Sequence, residues 1–411
     1  MKPHTDALSI NLPADSHHAM SKMPECPHFM GYVRSNGKVG VRNHVLVLPT
    51  VNCAAHTAVR IANRIKGAVA IYHEHGCGHI GPDYARTKRT LIGMGTNPNV
   101  ASVLVVGLGC EQVIPEEVAH AIAASGKRVE VVVIQDVHGV RNAIKIGRRL
   151  LRELVAQSRQ AERVPAPVSS LILGTECGGS DAMSGVAANP AVGALVDKMI
   201  DLGGKGILSE TPEFIGAEHF LAERTCCDPE RNRLLRFVHE IESIAHGAGE
   251  DIRGAQPSPG NMAGGLTTLE EKSLGCIRKG GTRLIRAVID YAEEVTESGL
   301  TVMNTTGDDV RSISGMVAGG SQIVVFTTGR GTPAGCSIAP VIKVSSNSRV
   351  FKEMRDCIDI NAGTIVEGKE TPDEVAERIF SLVLQVASGK KTKAELLGQN
   401  DFAIDRLLPS M

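Results

Sequence analysis

Five apolar, β-type runs in this chain each stop at a short polar loop, and four of those loops carry a cysteine. The runs are Val45–Cys53, Val69–His79, Val103–Glu111, Leu171–Asp181 and Ile323–Thr332. In an open α/β sheet, ligands bind in the crevice beyond the carboxyl ends of the strands. Cys53, Cys77, Cys110 and Cys177 fall at those ends, with His73, His75 and Arg330. Thiolate and imidazole suit iron or zinc. The pattern predicts a metal-assisted active site.

The segment H-E-H-G-C-G-H (73–79) is the densest of these. Alternate residues of an extended chain share a face, so His73, His75, Cys77 and His79 are placed to act together. His73 or His75 is a candidate general base, and Cys77 a candidate ligand. The plainer alternative is that they cap the next helix or bond to backbone. The spacing is not that of a zinc finger, which argues against a closed structural site. Cys53, Cys110 and Cys177 each follow a strand directly. One such cysteine is usually a small hydrophobe; three in equivalent positions point to ligation of an ion or of an iron–sulfur cluster. Cys226, Cys227, Cys276 and Cys357 have helical or mixed surroundings and read as packing residues.

GTECGGSD (174–181) reads as a strand-to-helix turn. The N–H groups of Gly178, Gly179 and Ser180 would hold an oxyanion at a helix start, or the glycines only serve a tight turn. No G-K-[ST] and no G-x-G-x-x-G is present, so a nucleotide site and a nicotinamide oxidoreductase are disfavoured. In TTGRGT (327–332), Thr328 and Arg330 would clamp an anionic group, with Arg330 bidentate. SETPEFIGAEH (209–219) gathers Glu210, Glu213, Glu218 and His219. His219 is a candidate metal ligand there; acids enriched at a helix N-terminus are the alternative. Lys272, in LEEKSLG, acts as a base only if burial lowers its pKa; otherwise it pairs with a nearby Glu.

The elements that must hold these groups alternate strand and helix, which predicts parallel strands with right-handed crossovers. The expected fold is α/β: two Rossmann-like domains with mostly parallel sheets and active-site loops at strand C-terminal ends. Residues 1–28 read as a mobile polar tail that includes His17 and His18, residues 29–160 as an N-terminal α/β domain and 168–411 as a C-terminal one. The Pro-containing stretch 160–169 is the expected linker. Residues 251–266 read as a long loop, followed by helices near 267–278 and 281–293. A chain of 411 residues suits two domains, and 42% hydrophobic with 22% charged residues is a globular composition. A formal net charge of −1 gives no basis for nucleic-acid binding. No apolar run is long enough to span a membrane. Ten cysteines without a secretory signal predict reduced thiols in the cytoplasm. With 3% aromatic residues and 44 glycines, close backbone approach to a small polar ligand is favoured over ring stacking.

Eight segments together resemble the altronate/galactarate dehydratase family: GYVRSNGKVGVRN (31–43), PTVNCA (49–54), HEHGCGH (73–79), NPNVASVLVVGLGCE (97–111), CGGSDAMSG (177–185), SETPEFIGAEH (209–219), PSPGNMAGGLTTLEEKSLG (257–275) and TTGRGTPAGCSIAPVIKVSSN (327–347). The resemblance runs from about residue 30 to about 367, and so many long motifs in one order are specific. It implies a lyase that removes a β-substituent from an anionic 2-hydroxy acid, with a divalent metal, usually iron; the expected cofactor is Fe2+, with Mn2+ or, from the cysteines, an iron–sulfur cluster as alternatives. Full-length sugar-acid dehydratases of this kind carry a small extra domain before the matched region. Its absence here is expected to mean a large subunit that works with a separate small subunit in a hetero-oligomer. That organisation is similar to sulfolactate sulfo-lyase, which releases sulfite and pyruvate from 3-sulfolactate. A sugar-acid dehydratase is the same-class alternative, and a non-catalytic metal- or redox-responsive protein the alternative of another class.

Overall fold

The computed structural model describes residues 27–411. Most of the expected tail, including His17 and His18, lies outside the described residues. Its last residue, His28, opens the first strand. In chain order the strands are β1 (His28–Val33), β2 (Val39–Gly40), β3 (His44–Pro49), β4 (Ala68–Ala70), β5 (Val100–Gly107), β6 (Arg128–Val133), β7 (Val164–Pro167), β8 (Ile172–Cys177), β9 (Lys205–Leu208), β10 (Ile285–Ile289), β11 (Gly299–Met303), β12 (Ile323–Thr328), β13 (Val341–Ser345) and β14 (Ile360–Asn361).

They form three sheets. A four-stranded sheet, in the order β4-β3-β5-β6, is wholly parallel. A seven-stranded sheet, in the order β10-β11-β9-β8-β12-β13-β14, is also wholly parallel. The expected mixed α/β class with parallel sheets is what the chain forms. The third sheet, β2-β1-β7, is antiparallel. Within the stretch read as the linker, Val164–Pro167 is a strand, registered against His28–Gly31. Its prolines are tolerated because the pairing is at an edge.

Parallel strands are covered on both faces and therefore read as unbroken apolar runs. β5 (VASVLVVG) and β12 (IVVFTT) show this, with nearly every residue buried. The helix Val140–Ser158 buries Ala143, Gly147, Leu151, Leu154 and Val155, one stripe at helical spacing. Helix Pro372–Ala387 starts at a Thr371/Glu374 capping box. One expectation is overturned here. The stretch 281–293 holds strand β10, not a helix, because pairing with β11 overrides its Arg, Leu and Ala content. The stretch 251–266 is broken by two short helices, Ile252–Ala255 and Pro259–Ala263.

The two parallel sheets share a core. Leu46 and Val103 of the smaller sheet belong to one buried cluster with Val324 and Phe326 of the larger. Asn97 and Asn99 fasten the junction: their amide groups donate to the carbonyls of Val317, Ser321, Gln322 and Ile338 at 2.7–3.0 Å. Gly93 is required there, since a Cβ would lie 2.3 Å from the Ala318 carbonyl oxygen. No helix among the described residues is long and apolar enough to cross a membrane.

Candidate active site

The carboxyl ends of β8 and β9 carry the most heavily charged buried cluster of the larger sheet. β8 ends in Glu176 and Cys177, and the chain after β9 continues through Ser209 to Glu210 and Glu213. Glu210 has φ 74°, a left-handed conformation that is uncommon for a residue with a side chain. Strain of this kind concentrates at functional sites. Helix Leu269–Cys276 and the 3-10 turn Ile277–Gly280 then bring Lys272, Cys276 and Lys279 over the strand ends.

Lys279 is fully buried, and its ammonium lies 2.7 Å from Glu210 Oε2. The same Nζ is 2.6 Å from Cys276 Sγ and 3.7 Å from Cys177 Sγ. The two sulfurs are 3.7 Å apart. Cys177 Sγ also donates to Glu213 Oε2 at 3.3 Å, and Glu213 Oε1 pairs with Lys272 at 2.9 Å. Burial alone would lower both lysines. The surrounding thiol and carboxylate groups outweigh it, so Lys279 is held well above its ordinary range and Lys272 above its own. Lys272 is thus a fixed cation, not the neutral amine a general base would require.

Behind this layer lie three more carboxyl oxygens in close array. Glu176, Glu210 and Asp309 offer ligand atoms all within 4.8 Å of one another, and so do Cys177, Glu210, Glu213 and Cys276. Burial, then the neighbouring Glu210, pushes Glu176 well above the usual carboxylate range. Asp309 is raised to about 7, by burial first and then by Glu210 and Glu213. Ser209 and Ser312 both donate to Glu176 Oε2, at 3.2 and 2.6 Å. No donor reaches Glu176 Oε1 or Glu210 Oε1, although both are buried. Such oxygens need a shared proton or a cation between them.

These facts test the fit of a divalent metal. The Cys177–Cys276 set is already neutralised by two ammonium groups. The Glu176–Glu210–Asp309 set has no ammonium on its free oxygens and offers the all-carboxylate donors that suit Mg2+, Mn2+ or a similar ion. It fits. Above the cluster opens a cavity of about 320 Å³, lined by Cys177, Ser180, Asp181, Lys272, Cys276 and Arg278 among others.

The sequence-predicted residues divide between two places. Cys177, Ser180 and Lys272 come together at this cavity, and the Gly178–Gly179 turn adjoins it. That turn does not open a helix as expected; the next helix starts at Ala188, and the Gly178 N–H donates to Thr327 O at 3.1 Å. Thr328 is buried and accepts from the Gly331 N–H. Arg330 is exposed, tied to Gly179 O only by its backbone N–H. His219 is exposed, packed on Phe220 and outside the cluster.

His73, His75, Cys53, Cys77 and Cys110 belong to the ends of the smaller sheet, and none lines the cavity. His73 Nε2–H donates to Pro49 O at 2.8 Å, and its Nδ1 accepts from the His75 N–H at 3.2 Å. Burial lowers His73 and His75 to about 4.

Sequence reasoning missed Cys276, Lys279, Glu176 and Asp309. A signal for two of them existed. Lys272, Cys276 and Lys279 stand at i, i+4 and i+7, one face of a helix.

Two family models match the chain: "D-galactarate/Altronate dehydratase, C-terminal" over residues 168–410, and "D-galactarate dehydratase/Altronate hydrolase, second domain" over residues 31–159. The chain is 38% identical to the (2R)-sulfolactate sulfo-lyase subunit beta of Chromohalobacter salexigens, over 93% of this chain and 98% of that protein. It is 34% identical to the altronate dehydratase of Bacillus subtilis, over 91% of this chain and 76% of that protein. It is 36% identical to the galactarate dehydratase (L-threo-forming) of Escherichia coli, over 88% of this chain and 73% of that protein.

Proposed function

The chain belongs to the D-galactarate/altronate dehydratase family and is a lyase, and from that premise we propose that it eliminates the C3 substituent of an anionic 2-hydroxy acid at the Lys279 cluster. The observation that carries this reading is Lys279 itself, a fully buried ammonium in contact with both Glu210 and Cys276 beneath a cavity floored by Cys276 and Cys177. A buried ion pair of this kind adds little stability beyond an apolar pair, which favours a chemical role.

Lys272 binds the anionic group of the substrate as it enters. The Ser180 hydroxyl and Arg278 line the same space. Cys276 takes the proton from C2 as its thiolate, the form that the Lys279 ammonium at 2.6 Å favours against burial and the neighbouring Glu213 and Glu210, which push the thiol up. Electrons from that C–H bond form the C2–C3 double bond as the C3 substituent leaves, and the enol becomes a 2-keto acid. Sulfite leaves without an acid; hydroxide needs a proton, which the Cys276–Lys279 pair can return. Glu176, Glu210 and Asp309 would hold the divalent cation, Fe2+ in the first reading. When bound there, behind the Cys177–Cys276 layer, it would supply positive charge that stabilises the charge developing on the substrate.

The first substrate reading is 3-sulfolactate, supported by the match to nearly the whole of a sulfo-lyase subunit. That relative is named as a beta subunit, so a small partner chain in a hetero-oligomer, in the cytoplasm, belongs to the same reading. A sugar-acid dehydratase is the second reading, supported by identities of 34–36%.

The test is anaerobic turnover with ferrous iron, with and without the candidate small subunit. Sulfite and pyruvate from 3-sulfolactate are expected; a 2-keto-3-deoxy acid from a hexonate or hexarate, with no sulfite, selects the second reading. Lys272→Met is expected to lower kcat/KM by about 10²–10³-fold, the usual cost of one oriented donor at such a site. Full activity in that variant would remove the cavity from the mechanism.

A further inference from the structure

The smaller sheet presents three thiols that the elimination chemistry leaves unused. Cys53, Cys77 and Cys110 are free and exposed, as are the adjacent Cys226 and Cys227 elsewhere, whereas Cys177, Cys276, Cys336 and Cys357 are buried. Cysteine is among the residues most often buried, so three exposed at one sheet end need a reason. Each follows a different parallel strand: Cys53 lies after β3, Cys77 after β4 and Cys110 after β5.

The three loops are tied to one another. The Asn52 N–H donates to His75 O at 2.8 Å, and the Gln112 N–H donates to Gly76 O at 3.1 Å. Thr50 donates to the Glu111 carboxylate at 2.8 Å, and that carboxylate also accepts the N–H groups of Leu108 and Gly109. Gln112 and His79 exchange two hydrogen bonds, at 2.9 and 3.2 Å. His79 Nε2 accepts from the Gly76 N–H at 2.8 Å. Glycines then make the bends. Cys77 sits between Gly76 (φ 106°) and Gly78 (φ 68°), and Gly109 (φ 122°) precedes Cys110. A Cβ on Gly76 would lie 2.1 Å from Thr50 O, so the β4 loop needs glycine to approach the β3 end. His73 and His79 of H-E-H-G-C-G-H thus serve as scaffold, and Cys77 is what they hold out.

We infer that Cys53, Cys77 and Cys110 are the protein ligands of an iron–sulfur cluster of the [4Fe–4S] class, one iron being left without a protein ligand. Two observations select a cluster over a single ion. The sets of ligand atoms within 4.8 Å of one another, among the described residues, lie in the larger sheet, and the three thiols do not form such a set. Their loops are nevertheless tied to one another by the hydrogen bonds above, which keep the three cysteines at one sheet end. Cluster cores take thiolate ligands of this kind. Binding is ligand exchange: three cysteine thiolates replace three small thiolates on a preformed cluster, the cysteine protons pass to the released thiolates, and no electron moves.

The test uses the full chain and a preformed [4Fe–4S] cluster carrying small thiols, mixed without oxygen and then desalted. About four iron and four acid-labile sulfide per chain are expected, with the broad visible absorbance of such clusters. Cys53→Ser, Cys77→Ser and Cys110→Ser are each expected to lower retained iron and sulfide at least about tenfold, with an unchanged far-ultraviolet circular dichroism spectrum. The double variant Cys177→Ser/Cys276→Ser is expected to retain the cluster. Iron bound without sulfide, cluster loss only in the double variant, or full retention in all three single variants would each overturn the inference. Activity is not the readout, so this result is independent of the elimination reading.

Discussion

The ends of the two parallel sheets are built alike and solvated differently. Both place cysteines on loops just past apolar strands. At the smaller sheet the thiols of Cys53, Cys77 and Cys110 face water, and the His73 and His79 rings bond to backbone. At the larger sheet Cys177 and Cys276 are buried among Lys279, Lys272, Glu210 and Glu213. The same sheet-end rule located both sites. What separates them is cover. The segment 269–280 lies over the larger sheet's strand ends and brings two lysines that compensate buried carboxylates. At the smaller sheet the C-terminal segment lies against the His/Cys loop, with the Met411 N–H donating to Gly78 O at 3.0 Å and Arg406 near His75 and His79, but it leaves Cys53, Cys77 and Cys110 exposed. Buried charge must be matched within the protein, so the larger sheet's site is electrostatically closed and the smaller sheet's is open.

The largest effect that tests this contrast is on stability. Lys279→Met removes one member of a fully buried pair and leaves Glu210 uncompensated beside Glu176 and Glu213. A loss of about 3–5 kcal/mol is expected from broken buried pairs, read by denaturant unfolding. Adding Glu210→Gln should restore part of it. A loss below about 1 kcal/mol would mean that the carboxyl groups are neutral and the lysine is not their counter-charge.

The next effect concerns pH. His73 is held near 4 by burial, against about 6.5 in an unfolded chain. The folded state therefore binds fewer protons than the unfolded state between these values. Stability present above pH 6.5 is lost as pH falls towards 4, by about 3 kcal/mol over the window. His73→Gln should flatten this part of the stability–pH curve, at a separate cost if Pro49 O loses its donor. An unchanged slope would show that His73 titrates normally and that its backbone bonds do not hold it neutral.

Much of this architecture was legible in the chain. Apolar runs such as VLVVG and IVVFTT mark strands buried on both faces, and the loops after them mark the sites. The strand β10 was not legible, because LIRAV satisfies helix and strand about equally and only its partner β11 decides. The turn at Gly178 misled for a related reason: glycine and serine suit a helix start and a plain turn alike. Within the site, Lys272 was visible but its charge state was not, since that depends on Glu213 from a distant segment. Cys276 was set aside because a lone cysteine in a helix carries no signal. Its meaning comes from Lys279 one turn later and Cys177 nearly a hundred residues earlier.

The smallest effect sharpens the comparison from the open side. Cys110 is exposed, and its side chain is not part of the bonds that tie the loops; those run through Glu111, Gln112 and the backbone. Cys110→Ser in the cluster-free chain is therefore expected to change unfolding free energy by less than about 0.5 kcal/mol, as for other exposed substitutions. Glu111→Gln is expected to cost more, about 1–3 kcal/mol, because that buried carboxylate accepts from Leu108, Gly109 and Thr50. If the two variants reversed this order, the thiol would be part of the loop's packing, and the smaller sheet's end would resemble the closed site at Lys279 after all.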